Sequence, residues 1–182
     1  YGLCCNTTGA NNVAVGISAL RQNLVGGLNV AVGALTLYSN QTGNYNTAVG
    51  DQCLKSSKKS NNTAMGSSSM MSNTEGENNV AFGYQSLQGN TVNNNNTAIG
   101  YQALSGVTYG NTNVGVGYQA GNTITTGANN TCIGNGAQPS SATVSNTITL
   151  GFLSIYLCIN SILSGIVHDL HLSNTNDAFV SL

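Results

Sequence analysis

Asn96-Thr97-Ala98-Ile99-Gly100-Tyr101-Gln102-Ala103-Leu104 is written, with small changes, along most of the 182-residue chain. The glycine that closes each N-x-A-x-G sets the period: Gly16, Gly33, Gly50, Gly66, Gly83, Gly100, Gly117, Gly134 and Gly151. Successive spacings are 17, 17, 16, 17, 17, 17, 17 and 17. The chain is therefore an array of one supersecondary unit, each copy burying its apolar face against its neighbours. The short interval falls at the loop that carries Lys55, Lys58 and Lys59.

Each column of the array has its own chemistry. Immediately before the glycine stand Val15, Val32, Val49, Met65, Phe82, Ile99, Val116, Ile133 and Leu150, all large and apolar. Three before it stand Val13, Val30, Thr47, Thr63, Val80, Thr97, Val114, Thr131 and Ile148, all β-branched. Alternate residues of a strand share a face, so these two columns are expected to point into the core together. Between them lie small residues, Ala98 among them, which places a close neighbour on the opposite side. Four after the glycine, Leu20, Leu37, Leu54, Met70, Leu87 and Leu104 form a second apolar column, also expected inward, with Leu3 in the same position at the start. It is preceded by a second small column that includes Ala19, Cys53, Ser86 and Ala103. The remainder of each unit is turn chemistry, as in Thr42-Gly43-Asn44-Tyr45-Asn46 and Thr126-Gly127-Ala128-Asn129-Asn130, where Gly and Asn suit left-handed corners.

Two short apolar strands and two corners per unit read as one coil of a β-solenoid; helical repeats need about twice this length. About nine coils over residues 1–151 make an all-β parallel β-roll, with 152–182 as a C-terminal cap or neck. In-register stacking would align Asn12, Asn29, Asn46, Asn62, Asn79, Asn96, Asn113 and Asn130 as a ladder. The small columns favour close packing against identical chains, so a homo-oligomer is expected. Leu3 already sits at the repeat's Leu position, so the first copy is entered partway through and a piece of a longer chain is expected.

Charged residues are 5% of the chain, where roughly 25% is usual, and none occurs between Asn78 and His168. Asn, Thr, Ser, Gln and Gly must supply solubility. Arg21, Lys55, Lys58 and Lys59 are the only permanent cations, which argues against a nucleic-acid partner, because phosphate neutralisation dominates that affinity. The lysine cluster reads as a solvated loop. Five cysteines, Cys4, Cys5, Cys53, Cys132 and Cys158, fit no metal-binding spacing. Cys53 and Cys132 occupy small-residue columns and read as buried thiols.

The columns N-[TV]-A-[VI]-G-Y-Q-[AS]-L resemble the head repeats of YadA-type trimeric autotransporter adhesins and related repeats of phage and viral tail fibres. The resemblance covers about Leu3 to Gly151. It implies a left-handed parallel β-roll, three chains side by side as a homotrimer, and a head projecting from a cell or virion to bind a host-surface glycan or protein. An extracellular location on a cell or virion surface follows from it. Asn146-Thr147-Ile148-Thr149-Leu150-Gly151 is similar to the motif that closes the roll in the fibre branch.

After Gly151 the period is lost. Ile155, Ile159, Ile162, Leu163 and Ile166 follow a helical spacing, with Ser154, Ser161, Ser164 and Gly165 grouped opposite. We expect a cap for the last coil. An oligomer neck is the next reading; a membrane span is disfavoured by Asn160 and the serines.

Catalytic chemistry is not legible. His168 and His171 with Asp169 lack further ligands for a metal and read as a polar tail. The roll holds only Asp51, Glu75 and Glu77, with no carboxylate pair at glycosidase spacing and no nucleophile motif. We expect neither an enzyme nor a cofactor nor a metal site. The candidate binding surface is made by repetition: Tyr84-Gln85, Tyr101-Gln102 and Tyr118-Gln119 recur in three consecutive coils as a stripe of rings and amides suited to glycans. Its competing reading is paving of a corner or an inter-chain seam. At the level of the whole chain, the alternatives to an adhesin are a structural fibre shaft and, more remotely, an ice-binding solenoid. The last needs an unbroken Thr array, which the Thr/Val mixture interrupts.

Overall fold

The computed structural model describes residues 2–151, so the expected cap or neck over 152–182, together with Cys158, His168, Asp169 and His171, lies outside the described residues. The described chain is an all-β solenoid in which each coil contributes one three-residue strand. These are β1 (Val13–Val15), β2 (Val30–Val32), β3 (Thr47–Val49), β4 (Thr63–Met65), β5 (Val80–Phe82), β6 (Thr97–Ile99), β7 (Val114–Val116), β8 (Thr131–Ile133) and β9 (Ile148–Leu150). They form one nine-stranded parallel sheet in sequence order. Pairing is in register with the repeat, for example Thr97↔Val114, Ala98↔Gly115 and Ile99↔Val116. Across the short interval the register holds with a 16-residue step, Thr47↔Thr63. Eight steps of about 4.8 Å make a rod on the order of 40 Å long.

The faces of the strand are the reverse of the sequence expectation. The central residue points inward: Ala31, Ala48, Ala81, Ala98 and Cys132 are fully buried. The flanking columns point outward, and Ile99, Met65 and Val15 are 42%, 47% and 57% exposed. Room decides this. At Gly115, which takes the Ala98 position one coil later, even a methyl group would lie 2.7 Å from Leu104 Cγ and 2.8 Å from the Ala120 carbonyl oxygen. A 17-residue coil that encloses a leucine has space for an alanine opposite it and none for an isoleucine. The second small column, Ala19, Cys53, Ser69, Ser86, Ala103 and Ala120, is likewise buried inside the roll, so neither small column faces another chain.

The Leu column is inward as expected, with Leu20, Leu37, Leu54, Met70, Leu87 and Leu104 fully buried. It does not lie on a second strand. Leu104 sits at φ 50° and Gln102 at φ 52°, and the same left-handed values recur in the equivalent residues of other coils. Gly100, at φ 132°, occupies a region closed to other residues, and a side chain there would collide with the Gly117 carbonyl. The alternation turns successive N–H groups in opposite directions along the rod. Gln102 N donates back to Tyr84 O at 2.9 Å, and Leu104 N donates forward to Ala120 O at 2.9 Å. A left-handed leucine costs roughly 1–2 kcal/mol, and burying its side chain contributes about 1.5–3 kcal/mol, so burial carries the balance. Gly43, expected as a left-handed corner, is instead chosen by close approach to Asn40 and the Lys59 carbonyl. Tyr45, at φ 56°, is the left-handed residue of that corner.

Where the Leu column fails at Gly121, the core is refilled from another column. A Cβ at Gly121 would meet Leu104 Cδ2 at 2.6 Å and Ile124 Cδ1 at 3.2 Å. Ile124 and Val107 are fully buried at a position that earlier coils fill with Asn23, Asn40, Asn73 and Asn90.

Two asparagine ladders lock coil to coil. In the first, Asn12 to Asn130, each Oδ1 accepts the backbone N–H of the equivalent residue one coil on, as in Asn113 N→Asn96 Oδ1 at 2.8 Å. Each Nδ2 donates to a corner carbonyl of the next coil, as in Asn96 Nδ2→Gly110 O at 2.9 Å. The second, which the sequence reading missed, runs amide to amide: Asn23 Nδ2→Asn6 Oδ1 at 2.7 Å, Asn40 Nδ2→Asn23 Oδ1 at 3.0 Å and Asn90 Nδ2→Asn73 Oδ1 at 2.8 Å. It is interrupted by Ser57 and ends at Val107. Asn40 Oδ1, Ser57 Oγ and Asn90 Oδ1 are correspondingly buried without a hydrogen-bond partner. Asn96→Ala, which strands a backbone donor and acceptor, should lower unfolding stability by on the order of 3 kcal/mol. Ser57→Asn, which joins the two parts of the second ladder, should raise it by about 1 kcal/mol. Urea denaturation of the two variants against the parent checks both signs.

Candidate functional site

Two outward features adjoin along the rod. The first is the face of the sheet. One of its columns holds five Val or Ile and four Thr, and the other holds nine large apolar residues. Together they form a strip about 10 Å wide and on the order of 40 Å long. The result is a largely apolar outward surface on a chain with little charge. The sequence reading placed these columns in the core and so missed the strip. The signal that could have found it was the unbroken smallness of the column between them.

The second feature is the predicted stripe, which the structure brings together. Gly100 and its equivalents turn the chain out of the sheet, and the next residue projects at the sheet's edge. The rings of Tyr84 and Tyr101 are stacked with centroids 5.6 Å apart and an interplanar angle of 18°. Tyr101 and Tyr118 follow at 5.2 Å and 7°. Coil stacking sets this spacing. Beside them runs an amide ladder, Gln102 Nε2→Gln85 Oε1 at 2.8 Å and Gln119 Nε2→Gln102 Oε1 at 2.9 Å. Residues Tyr84, Tyr101 and Tyr118 are 46%, 42% and 52% exposed. Mutual stacking covers both faces of Tyr101 and leaves its edge and hydroxyl outward. The stripe therefore presents a row of hydroxyls, ring edges and glutamine amides, with open ring faces only at its two ends.

The charged residues stand elsewhere. Lys59 Nζ lies 3.3 Å from Glu75 Oε2, with both side chains nearly half exposed, a surface pair that adds little to stability. From Asn78 to Gly151 the surface is neutral. Among the described residues no three His, Cys, Asp or Glu side chains cluster as metal ligands, and no helix is long and apolar enough to cross a membrane.

Cys53 and Cys132 are buried free thiols, as their columns imply, whereas Cys4 and Cys5 are exposed. Burial pushes the Cys53 thiol up to about 12 from an ordinary 9.0, the Val49 backbone opposing weakly. Burial likewise pushes the Cys132 thiol up to about 11, against a hydrogen bond with Thr149. Both stay protonated at physiological pH, and the thiolate is the nucleophile. Because the folded values are raised, their contribution to stability is fully present below pH 9.0 and is lost as pH rises toward 11–12. Iodoacetamide at pH 8 should alkylate Cys4 and Cys5 and leave Cys53 and Cys132 unmodified until denaturant is added. Peptide mapping by mass spectrometry reads the four sites separately.

Comparison of the chain with protein-family models, with curated proteins and with solved structures finds no match.

Proposed function

We propose that this chain is a module of an extracellular attachment fibre, an adhesin head or tail-fibre segment in which identical rods associate and display a ligand-binding surface to a host or other surface. The observation that carries the reading is the outward apolar face of the sheet. A rod that buries the alanines of its strands and turns the flanking column outward, with Val15, Met65, Ile99 and Ile133 exposed, is best satisfied by a partner along its length, and an identical rod has the matching length and repeat. The resemblance of the repeat to trimeric adhesin heads favours three chains side by side. Parallel copies in a closed ring would each cover the neighbour's strip and leave the corners outward.

Low charge and ladder-locked coils suit a stiff extracellular spacer, and the Tyr84, Tyr101 and Tyr118 rings with Gln85, Gln102 and Gln119 are the proposed recognition surface, for a glycan or an extracellular protein. A shaft without its own ligand shares the rod and the association but not the binding. The Thr column that an ice-binding surface would require is outward yet broken by Val80 and Val114.

Light scattering on the purified chain at micromolar concentration should give a multiple of the 18.6 kDa chain mass. Ile99→Asp with Ile133→Asp should shift it to the monomer while the far-ultraviolet circular dichroism of the coils is kept. A monomeric parent would count against the association. For recognition, Tyr101→Ala with Tyr118→Ala should weaken adhesion of the fluorescently labelled chain to host cells or a glycan array by about tenfold or more. Unchanged binding removes the stripe as the site.

A further inference from the structure

The Tyr–Gln stripe ends in a step, and the step has the chemistry of a binding site. The first backbone contact of the turn continues past the stripe: Gly136 N donates to Tyr118 O at 2.8 Å, as Gln119 N does to Tyr101 O. The side chains do not continue. The tyrosine column passes to Asn135 and the glutamine column to Gly136. A Cβ at Gly136 would find no atom of the described residues within 4 Å, whereas at most other glycines it would meet a neighbouring coil. One coil of backbone, about 4.8 Å in height, thus carries no ring, which is the thickness that each stacked tyrosine occupies.

Three groups face this step. Among the described residues Tyr118 stacks on Tyr101 alone, and at 52% it is the most exposed of the three tyrosines. The amide ladder is directional: Gln119 donates to Gln102, which donates to Gln85, so Gln119 Oε1 is left as an acceptor with no donor among the described residues. Asn135 is exposed at the floor of the step and adds a donor and an acceptor. No charged side chain lies in this part of the rod. At the opposite end of the stripe the coil beside Tyr84 carries Ser67 and Ser68, so a side chain occupies the glutamine position there, whereas Gly136 leaves it bare at this end.

We infer that the end of the stripe, formed by Tyr118, Gln119, Asn135 and Gly136, binds one neutral pyranose ring of a glycan. The inference rests on the attachment function proposed above and names where its ligand is seated. A pyranose offers a C–H face to lie on the open face of Tyr118 and hydroxyls around its rim to donate to Gln119 Oε1 and exchange hydrogen bonds with Asn135. A phenylalanine-type ring would satisfy the tyrosine face and leave the glutamine oxygen unpaired. An acidic sugar would find no cation.

The test extends the repeat into the step. Asn135→Tyr with Gly136→Gln supplies the next Tyr–Gln pair, and Gly136 already has φ 62°, close to the 52° and 53° of Gln102 and Gln119. Circular dichroism and thermal denaturation verify that the fold is kept. Binding of the methyl glycosides of glucose, galactose and N-acetylglucosamine to the chain is followed by saturation-transfer NMR, with N-acetylphenylalanine amide as the aromatic probe. The expected result is binding of at least one glycoside to the parent, with Tyr118 ring protons perturbed, and about tenfold weaker binding to the double variant. Retained or stronger binding to the double variant overturns the step and leaves the side of the stripe as the recognition surface. No glycoside binding to the parent, or binding of the aromatic probe alone, overturns the carbohydrate assignment, while attachment itself is judged separately by cell adhesion.

Discussion

The structure depends on one repeated joint, a buried asparagine that spends both ends of its amide on the next coil. Its oxygen takes the N–H of the following asparagine and its nitrogen reaches a corner carbonyl, so strand and corner of adjacent coils are held at a fixed separation. Eight such joints run without interruption from Asn12 to Asn130. Because a buried amide left unpaired costs as much as several kcal/mol of stability, coil length is under tight constraint. The 16-residue interval obeys it: Lys59 supplies the carbonyl to Asn46 that a glycine supplies to most other coils. The missing residue is absorbed where the second ladder is already broken, at Ser57.

The joint explains why the core can be so thin. Coils held by hydrogen bonds along the rod need little apolar volume across it, and in most layers one leucine with two or three small residues suffices. The same thinness expels the large apolar residues of the strand to the outer face. The buried core and the outward apolar strip thus lie on opposite sides of the same three-residue strand. The tyrosines stand on a third line, at the sheet's edge, where Gly100 and its equivalents turn the chain and the stacking of coils sets the rings of Tyr84, Tyr101 and Tyr118 about one coil apart.

Much of this was legible because a repeat reports the same position many times. Asn96 alone is an ordinary polar residue; eight asparagines in register are a ladder. Tyr101 alone is a surface ring, but with Tyr84 and Tyr118 at the same position of neighbouring coils it had to be a stack. Cys53 and Cys132 were readable as buried by the company of their columns. The second ladder escaped notice because Ser57, Val107 and Ile124 interrupt its column, and the left-handed backbone at Leu104 and Gln102 escaped because neither residue type favours it. Their conformation is imposed by burial and by the coil above and below, not by local preference.

The sequence by itself determined the period, the parallel in-register stacking, the identity of each column and the fact that Thr97 and Ile99 share a face opposite Ala98. Tertiary structure alone decided which of those faces is the inside. Strand alternation is symmetric under exchange of inside and outside, and hydrophobicity argued for the wrong choice. The cross-section of the coil broke the symmetry: with Leu104 and the Ala120 carbonyl already in place, there is room at the neighbouring strand for no more than the smallest side chains, and the isoleucines had to go out.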